Sequence, residues 1–151
     1  MDKGKLMQRF REFCSALSPE DKVAIVHHSD ADGFTSALIA AKAVEKLTGN
    51  RPVVVRHYEY GNRMQGRKAY KAMKKGKVNT VIVLDIGVDS APGRLEDHYE
   101  FEKCLVIDHH KLYKDMGTEK TVFLKAQFFT DKAPSSYVTA KFAFDLFFNF
   151  R

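Results

Sequence analysis

Short runs of apolar residues alternate along this chain with longer segments in which apolar residues recur at helical spacing. The runs are continuous, without intervening polar positions, which is typical of strands that are covered on both faces. They predict β-strands at residues 22–27, 53–55, 80–84, 104–107 and 122–129.

The segments between these runs predict helices. Near the N-terminus Leu6, Phe10, Phe13 and Leu17 recur every three or four residues, as on one face of a helix. Helices are predicted at residues 1–17, 33–46, 63–77 and 134–148, with a shorter one within 91–102. Strands that alternate with helices favour an α/β fold, with a parallel sheet of about five strands and helices on both faces.

Length and composition indicate one folded domain. The chain has 151 residues, of which 44% are hydrophobic and 12% aromatic, enough to build a core. We expect a single domain over residues 1–151, with an N-terminal helical segment at 1–20 and an α/β core at 21–151. No apolar run reaches the ~18 residues of a membrane span. The two cysteines, Cys14 and Cys104, lie far apart, which fits a cytoplasmic protein without a membrane partner.

Acidic and imidazole side chains follow three of the predicted strands. The first strand leads into His-His-Ser-Asp-Ala-Asp-Gly at residues 27–33, the third into Asp85, and the fourth into Asp-His-His at 108–110. The carboxyl ends of parallel strands lie along one edge of a sheet, where ligands bind in such folds. One cleft is therefore predicted to contain His28, Asp30, Asp32, Asp85, Asp108, His109 and His110.

A cleft with this many carboxylates predicts a metal centre, because like charges at short range destabilise one another unless a cation lies between them. Carboxylate oxygens with imidazoles suit Mn²⁺, Mg²⁺ or Zn²⁺. The number of donors favours two ions about 3.5–4 Å apart, bridged by Asp85 or Asp32. Taken alone, the first segment also fits a polar Asp-Gly turn and Asp85 fits a helix N-cap. The three segments together favour the metal centre.

These segments resemble the motifs of the DHH phosphoesterase superfamily, in its N-terminal DHH domain. The first motif is similar to residues 28–33, the second to 83–86 around Asp85, and the third, Asp-His-His, to 108–110. The Asp-Ala-Asp-Gly sequence and the two serines at 135–136 are most similar to the RecJ-like branch. The resemblance covers the chain from about residue 23 to residue 148.

The resemblance implies a hydrolase that cleaves phosphodiester or phosphoanhydride bonds with Mn²⁺, two ions being expected and Mg²⁺ being the alternative. It implies that Asp108 either binds metal or orients a neighbour, and that His110 lies beside the phosphate. Catalytic roles are thereby implied for Asp108, His109 and His110. The implied metal ligands are His28, Asp30, Asp32, Asp85 and His109.

The charge distribution adds a candidate substrate. The net charge is +6 and the isoelectric point about 9.3, which favours an anionic partner. The predicted helix at residues 63–77 is rich in Arg and Lys and could bind substrate phosphates. The alternative is that these side chains form a solvated helix face. Single-stranded DNA or RNA, or a short oligonucleotide, is the expected partner. The candidate phosphate-binding residues on this helix are Arg63, Arg67, Lys68 and Lys71.

RecJ-like exonuclease activity has two alternatives: a non-catalytic scaffold in a replication or repair complex, and a small-molecule phosphohydrolase for pyrophosphate or cyclic dinucleotides. Superfamily members usually also carry a fourth motif with an Asp, and a C-terminal DHH-associated domain, neither of which is recognised within residues 1–151. Metal binding is expected without them, whereas the activity of this chain alone is left open. A second domain or a protein partner is expected to cover part of the last helix, which carries Phe142, Phe144, Phe147, Phe148 and Phe150.

Overall fold

The chain folds around one parallel sheet, as the α/β prediction requires. A computed structural model describes residues 2–58, 63–131 and 136–150, without the side chains of 63–65. The five strands lie in the order β2-β1-β3-β4-β5, and every neighbouring pair is parallel. Their bounds are β1 Val23–His28, β2 Val54–Tyr58, β3 Thr80–Leu84, β4 Lys103–Asp108 and β5 Thr121–Lys125.

Helices cover both faces of the sheet. Three of them, α1, α2 and α4, pack on one face, and α3 packs on the other beside the connections that follow β3 and β4. None of the helices in the described ranges combines the length and apolar character that crossing a membrane requires. Their bounds are α1 Lys3–Ser15, α2 Ala31–Thr48, α3 Arg63–Lys75 and α4 Thr139–Phe144, and α4 continues into a π-helical turn at Asp145–Asn149.

Alternate side chains on β1, β3, β4 and β5 supply two separate cores. Ile25, Ile82 and Leu105 point to the first face, where they are fully buried with Phe10 and Phe147 from the helices. Burying a side chain of this size contributes about 1.5–3 kcal/mol, so this face carries much of the fold's stability. On the second face Ala24, Val83 and Val106 are among the residues that pack with Met73 of α3.

The predicted second helix begins earlier than its hydrophobic pattern indicates. It begins at Ala31 because the Asp30 side chain caps it, accepting the Gly33 N–H over 2.8 Å. It ends at Thr48, and Gly49, with a φ of +77°, provides a left-handed C-cap. The early start places Asp32 inside the first turn of α2, close to the carboxyl end of β1.

Two predicted elements are shorter than expected. The segment 91–102 contains only a 3₁₀ turn at Leu95–Asp97, because Pro92 and the positive φ of Gly93 interrupt helical backbone just before it. The last strand ends at Lys125, not at residue 129, because Ala126–Phe128 form a 3₁₀ turn.

The last helix also differs from its prediction. It begins at Thr139, after an extended Val138, and the predicted start at 134 lies outside the described residues. Phe142 and Phe147 are fully buried, whereas three other phenylalanines are 36–46% exposed. The exposed rings are those of Phe144, Phe148 and Phe150. Cover by a second domain or a partner stays a prediction for this part of the surface.

Candidate metal centre

The carboxyl ends of β1, β3 and β4 lie side by side, since β3 sits between the other two strands. His27 on β1 is in register with Leu84 on β3, and Leu84 is in register with Ile107 on β4. The residues that follow these three positions therefore lie next to one another at the carboxyl edge of the sheet. The sheet brings the predicted acidic and imidazole cluster to a single edge.

Asp85 occupies the middle of this edge. It is 1% exposed, and its backbone N–H donates to the Ile107 carbonyl over 3.0 Å. Its φ of +61° lies in the left-handed region, which costs a non-glycine residue roughly 1–3 kcal/mol. Thr139 Oγ1 donates to Asp85 Oδ1 over 2.9 Å. The chain thus holds this carboxylate in a strained position that neighbouring structure must stabilise.

Two groups of potential metal ligands share Asp85. In one, His28 Nδ1 lies 2.8 Å from Asp30 Oδ2 and 3.7 Å from Asp85 Oδ2. In the other, His109 and His110 lie beside Asp85, with His109 Nε2 at 3.3 Å from Asp85 Oδ1. The ligand atoms within each group lie within 4.8 Å of one another. Among the described residues, only Asp85 belongs to both groups.

The donor atoms of these groups fit a divalent cation. Asp85 Oδ2 and His28 Nδ1 are buried, and neither makes a hydrogen bond of acceptable geometry within the described part of the chain. Burial raises the pKa of Asp85, and the nearby charge of Asp32 raises it further. A cation would satisfy both atoms and offset the repulsion. Oxygen and imidazole donors together suit Mn²⁺ and related ions.

Asp30 and Asp32 are placed by the first turn of α2. Burial acts to raise the pKa of Asp30, but the Gly33 N–H and its other partners outweigh it and lower the pKa. Asp32 accepts the backbone N–H groups of Thr139 and Ala140 over 3.0 and 2.7 Å, so it caps α4. Each oxygen has two lone pairs, which leaves Asp32 able to accept a further partner.

Gly33 permits the close approach of α2 to β1. A Cβ at this position would lie 2.0 Å from the carbonyl oxygen of His28 and 2.6 Å from its carbon. Both neighbours are backbone atoms, which cannot move without shifting the strand end or the helix. The Gly that follows Asp32 in the motif is therefore required by packing.

Asp108 is fully buried and lies outside both ligand groups. Its Oδ1 is 2.6 Å from His110 Nδ1, and its Oδ2 is 2.5 Å from Lys125 Nζ. Burial alone would raise the pKa of Asp108, but the hydrogen bond from His110 and the charge of Lys125 lower it to about 2. In return, the hydrogen bond to Asp108 raises the pKa of His110. The structure therefore links Asp108 to two cationic partners.

The basic residues predicted to bind phosphate lie on α3. Arg67, Lys68 and Lys71 are exposed, and the side chain of Arg63 lies outside the described residues. The described contacts do not join them to the ligand groups. α3 starts after the carboxyl end of β2, at the edge of the sheet that holds the metal centre, and leads back toward the start of β3. Arg67 is therefore closer to that edge than Lys71.

Three residues at this edge were missed by the sequence patterns. Thr139 comes from a helix far along the chain, and Asp89 follows β3 as an ordinary polar residue. Lys125 ends β5 in register with Asp108, yet a lysine at a strand end is usually exposed. The run of polar residues after a buried strand was the only available signal, and it does not identify a buried charge.

Solved structures resemble the chain in fold. Exonuclease RecJ bound to manganese matches with a TM-score of 0.61 and 17% identity, over 94% of this chain and 36% of that one. RecJ from Thermus thermophilus in complex with Mn²⁺ matches with a TM-score of 0.54 and 17% identity, over 95% of this chain and 19% of that one. The DHH domain of a protein described as a member of a ribosomal-protein family matches with a TM-score of 0.60 and 17% identity, over 95% of this chain and 38% of that one. The chain thus spans less than two fifths of each of these three chains.

The comparison with curated proteins gave no significant match. The model of the DHH family, N-terminal domain, matches residues 22–148, which is most of the sequence. This match confirms the resemblance that the three motifs predict, and the parallel five-stranded sheet agrees with it. The chain therefore belongs to the DHH family, through the N-terminal domain of that family.

Proposed function

We propose that this chain forms the metal-binding core of a phosphoesterase that uses two divalent cations. The observation that carries the proposal is Asp85, which belongs to both ligand groups and keeps Oδ2 without a hydrogen-bond partner among the described residues. A buried carboxylate shared by two groups suits a ligand that bridges two ions. Membership of the DHH family and the likeness in fold to RecJ bound to manganese support the same chemistry.

The ligands divide into two sets in this proposal. His28, Asp30 and Asp85 would hold one ion, and Asp85 and His109 would hold the other, with Asp32 Oδ2 3.5 Å from His109 Nε2. Mn²⁺ is the proposed ion and Mg²⁺ the alternative, because both accept oxygen ligands. Two such ions, when bound, supply a water that loses its proton near neutral pH and positive charge at the phosphoryl group.

Asp108 and His110 act together in the proposal. Asp108 orients His110 through the 2.6 Å contact of Oδ1, while its Oδ2 is paired with Lys125, and it lies outside both ligand groups. The His110 side chain is 45% exposed, so it can reach a substrate while Nδ1 stays on Asp108. The hydrogen bond to Asp108 raises the pKa of His110, so its imidazolium persists to higher pH than that of an ordinary histidine. That charge stabilises the phosphoryl oxygens as negative charge develops on them.

The proposed substrate is single-stranded nucleic acid or a short oligonucleotide. The net charge of +6 and the exposed cations of α3 support it, because phosphate contacts dominate the affinity for nucleic acid. The likeness in fold to exonuclease RecJ points the same way. Of the α3 cations whose side chains the structure describes, Arg67 is best placed to hold a phosphate near the centre, and Lys68 and Lys71 would hold phosphates farther along the nucleic-acid strand. Arg63, at the start of α3, is also proposed to bind phosphate.

Hydrolysis of a 5′-labelled single-stranded oligonucleotide tests this function. The assay compares Mn²⁺, Mg²⁺ and EDTA for the wild type, Asp30→Ala and the control Glu20→Gln, an exposed residue before β1 at the opposite edge of the sheet. We expect cleavage that requires Mn²⁺, is lost in Asp30→Ala and persists in Glu20→Gln.

The same comparison with pyrophosphate and a cyclic dinucleotide as substrates, together with a Mn²⁺ titration, separates the remaining functions. Hydrolysis of pyrophosphate or a cyclic dinucleotide, with no cleavage of oligonucleotide, would indicate a small-molecule phosphohydrolase. Mn²⁺ binding without hydrolysis of any of these substrates would favour a scaffold. Absence of Mn²⁺ binding in the wild type would contradict the proposal as a whole.

A further inference from the structure

Lys125 is a charged side chain with no exposed surface. It ends β5, in register with Asp108 at the end of β4, and is 0% exposed. Removing an ammonium from water is costly unless oxygens surround it. Its Nζ lies 2.5 Å from Asp108 Oδ2 and 2.9 Å from Asp89 Oδ1. Two carboxylates therefore compensate the buried charge.

Backbone oxygens complete the surroundings of this ammonium. Nζ donates to the carbonyl of His110 over 3.1 Å and lies 3.3 Å from the carbonyl of Lys111. An ammonium has three donors and no acceptor, and the hydrogen bonds to Asp108 Oδ2 and to these two carbonyls use all three. Asp89 Oδ1 adds an ion-pair contact without a hydrogen bond. Lys125 is therefore placed to hold protein atoms, not to contact substrate.

The contacts of Lys125 join two connections that leave the sheet side by side. Asp89 lies in the connection after β3, four residues beyond Asp85, and its Oδ2 also accepts the Tyr113 N–H over 2.7 Å. Asp108 ends β4, and the carbonyls of His110 and Lys111 belong to the connection after it. One ammonium thus fastens the segment that carries the proposed bridging carboxylate to the segment that carries both imidazoles.

We propose that Lys125 is a positioning residue, which with Asp89 fixes the 108–113 segment so that His109 and His110 face Asp85. This inference rests on the proposed metal function for its consequence, because an imidazole must be oriented before it can bind an ion. Asp108 transmits the effect to His110 through the 2.6 Å contact with Nδ1. The carbonyl contacts fix the backbone between the two imidazoles and Tyr113.

Lys125→Met tests the role, and Lys103→Met is its matched control. Lys103 begins β4 at the opposite edge of the sheet, where Nζ binds Asp21 Oδ2 over 2.9 Å and the Ala16 carbonyl over 2.9 Å. Both variants remove a lysine that binds a carboxylate and a carbonyl, so both lower stability. In the folded protein, only Lys125→Met is expected to weaken Mn²⁺ affinity, by about 10- to 100-fold in calorimetry. The Kd of Lys103→Met should stay at the wild-type value.

NMR of the metal-free protein gives a second readout that requires no ion. The imidazole resonances of His109 and His110 are expected to shift and broaden in Lys125→Met but not in Lys103→Met. Unchanged imidazole resonances together with a wild-type Mn²⁺ affinity would overturn the positioning role. If the wild type binds no Mn²⁺, the proposed function fails, while the resonances still decide the role of Lys125.

Further variants cover a failure of Lys125→Met to fold. Asp89→Asn/Lys125→Met removes one buried charge of each sign and leaves Asp108 with His110. Asp89→Asn alone keeps the ammonium on Asp108 and keeps an amide oxygen for the Tyr113 N–H. Both are expected to shift the imidazole resonances and weaken Mn²⁺ binding, the double variant more. Wild-type resonances and affinity in both variants would overturn the proposal.

Discussion

The hydroxyl of Thr139 donates to the buried carboxylate of Asp85 over 2.9 Å, across 54 positions of sequence. Asp85 follows the central strand β3, and Thr139 is the first residue of α4. The backbone N–H of Thr139 also binds Asp32 in α2. Thr139 therefore contacts two carboxylates that follow different strands, Asp85 after β3 and Asp32 after β1. It connects the packing of α4 with the geometry of the candidate metal centre.

Thr139→Val should destabilise the protein, because it keeps the shape of the side chain but removes the donor to Asp85. A hydrogen bond to a charged group contributes about 1.5–3 kcal/mol, and we expect the free energy of unfolding to fall by about that amount. Chemical denaturation measures it. Thr139→Ser keeps the hydroxyl and should lose clearly less; equal losses in the two variants would show that the hydroxyl contributes nothing.

Gly33→Ala should disturb the centre through packing. The added Cβ would lie 2.0 Å from the carbonyl oxygen of His28, so α2 or the end of β1 must shift. Overpacking of this kind costs about 1–3 kcal/mol, and the shift should also weaken Mn²⁺ binding by displacing Asp30.

Gly49→Ala is the matched control for that change. It strains the other end of α2, where φ is +77° and nothing lies within 4 Å of the added Cβ. It should cost about 1 kcal/mol of stability and leave the Mn²⁺ affinity unchanged. Calorimetry on both variants checks the pair, and an unaltered Mn²⁺ affinity in Gly33→Ala would count against the packing account.

Asp21 should contribute to acid denaturation away from the centre. Burial acts to raise its pKa, but Lys103, the Ser18 N–H and Asn79 outweigh it and lower the pKa. A carboxyl group whose pKa is lower in the folded than in the unfolded state stabilises the protein at pH values above its unfolded-state pKa of about 3.9. This contribution is lost as the pH falls through the folded-state pKa. Asp21→Asn should therefore be less stable near pH 6, and the difference from wild type should shrink toward pH 2. Denaturation at a series of pH values tests this; a constant difference would contradict it.

The positions of the main acidic and imidazole residues were predictable, because they depend on strand ends alone. His28, Asp85 and Asp108 each follow an apolar run, and parallel strands bring such ends to one edge. The start of α2 was predicted two residues late, since its cap by Asp30 depends on a side-chain hydrogen bond and not on the hydrophobic pattern.

Contacts between distant segments were not predictable in the same way. Nothing in the residues around Lys125 distinguishes a buried lysine from an exposed one, because its partners come from β4 and from the connection after β3. The positive φ of Asp85 likewise depends on how its segment packs, since Asp shows no pattern that requires it. Hydrophobic spacing of the last helix predicted a buried stripe, and only the packing shows which phenylalanines belong to it.

Asp85→Asn should separate metal binding from stability. Burial raises the pKa of Asp85, so the folded protein disfavours the charged form, and removing the charge should stabilise the metal-free protein near neutral pH. Asn also tolerates the left-handed backbone at this position. Denaturation in EDTA measures this effect. A strong loss of stability in the metal-free variant would show that the charge of Asp85 supports the fold and not an ion.

Calorimetric titration of the wild type and Asp85→Asn with Mn²⁺ tests the central claim most directly. The account predicts two ions for each wild-type chain and a loss of affinity at both sites in the variant, because Asp85 belongs to both ligand groups. At Mn²⁺ about 100 times the Kd, the wild type should gain about 2.7 kcal/mol of stability for each ion bound, a gain that the variant lacks. No Mn²⁺ binding by the wild type, or equal binding by Asp85→Asn, would contradict the account.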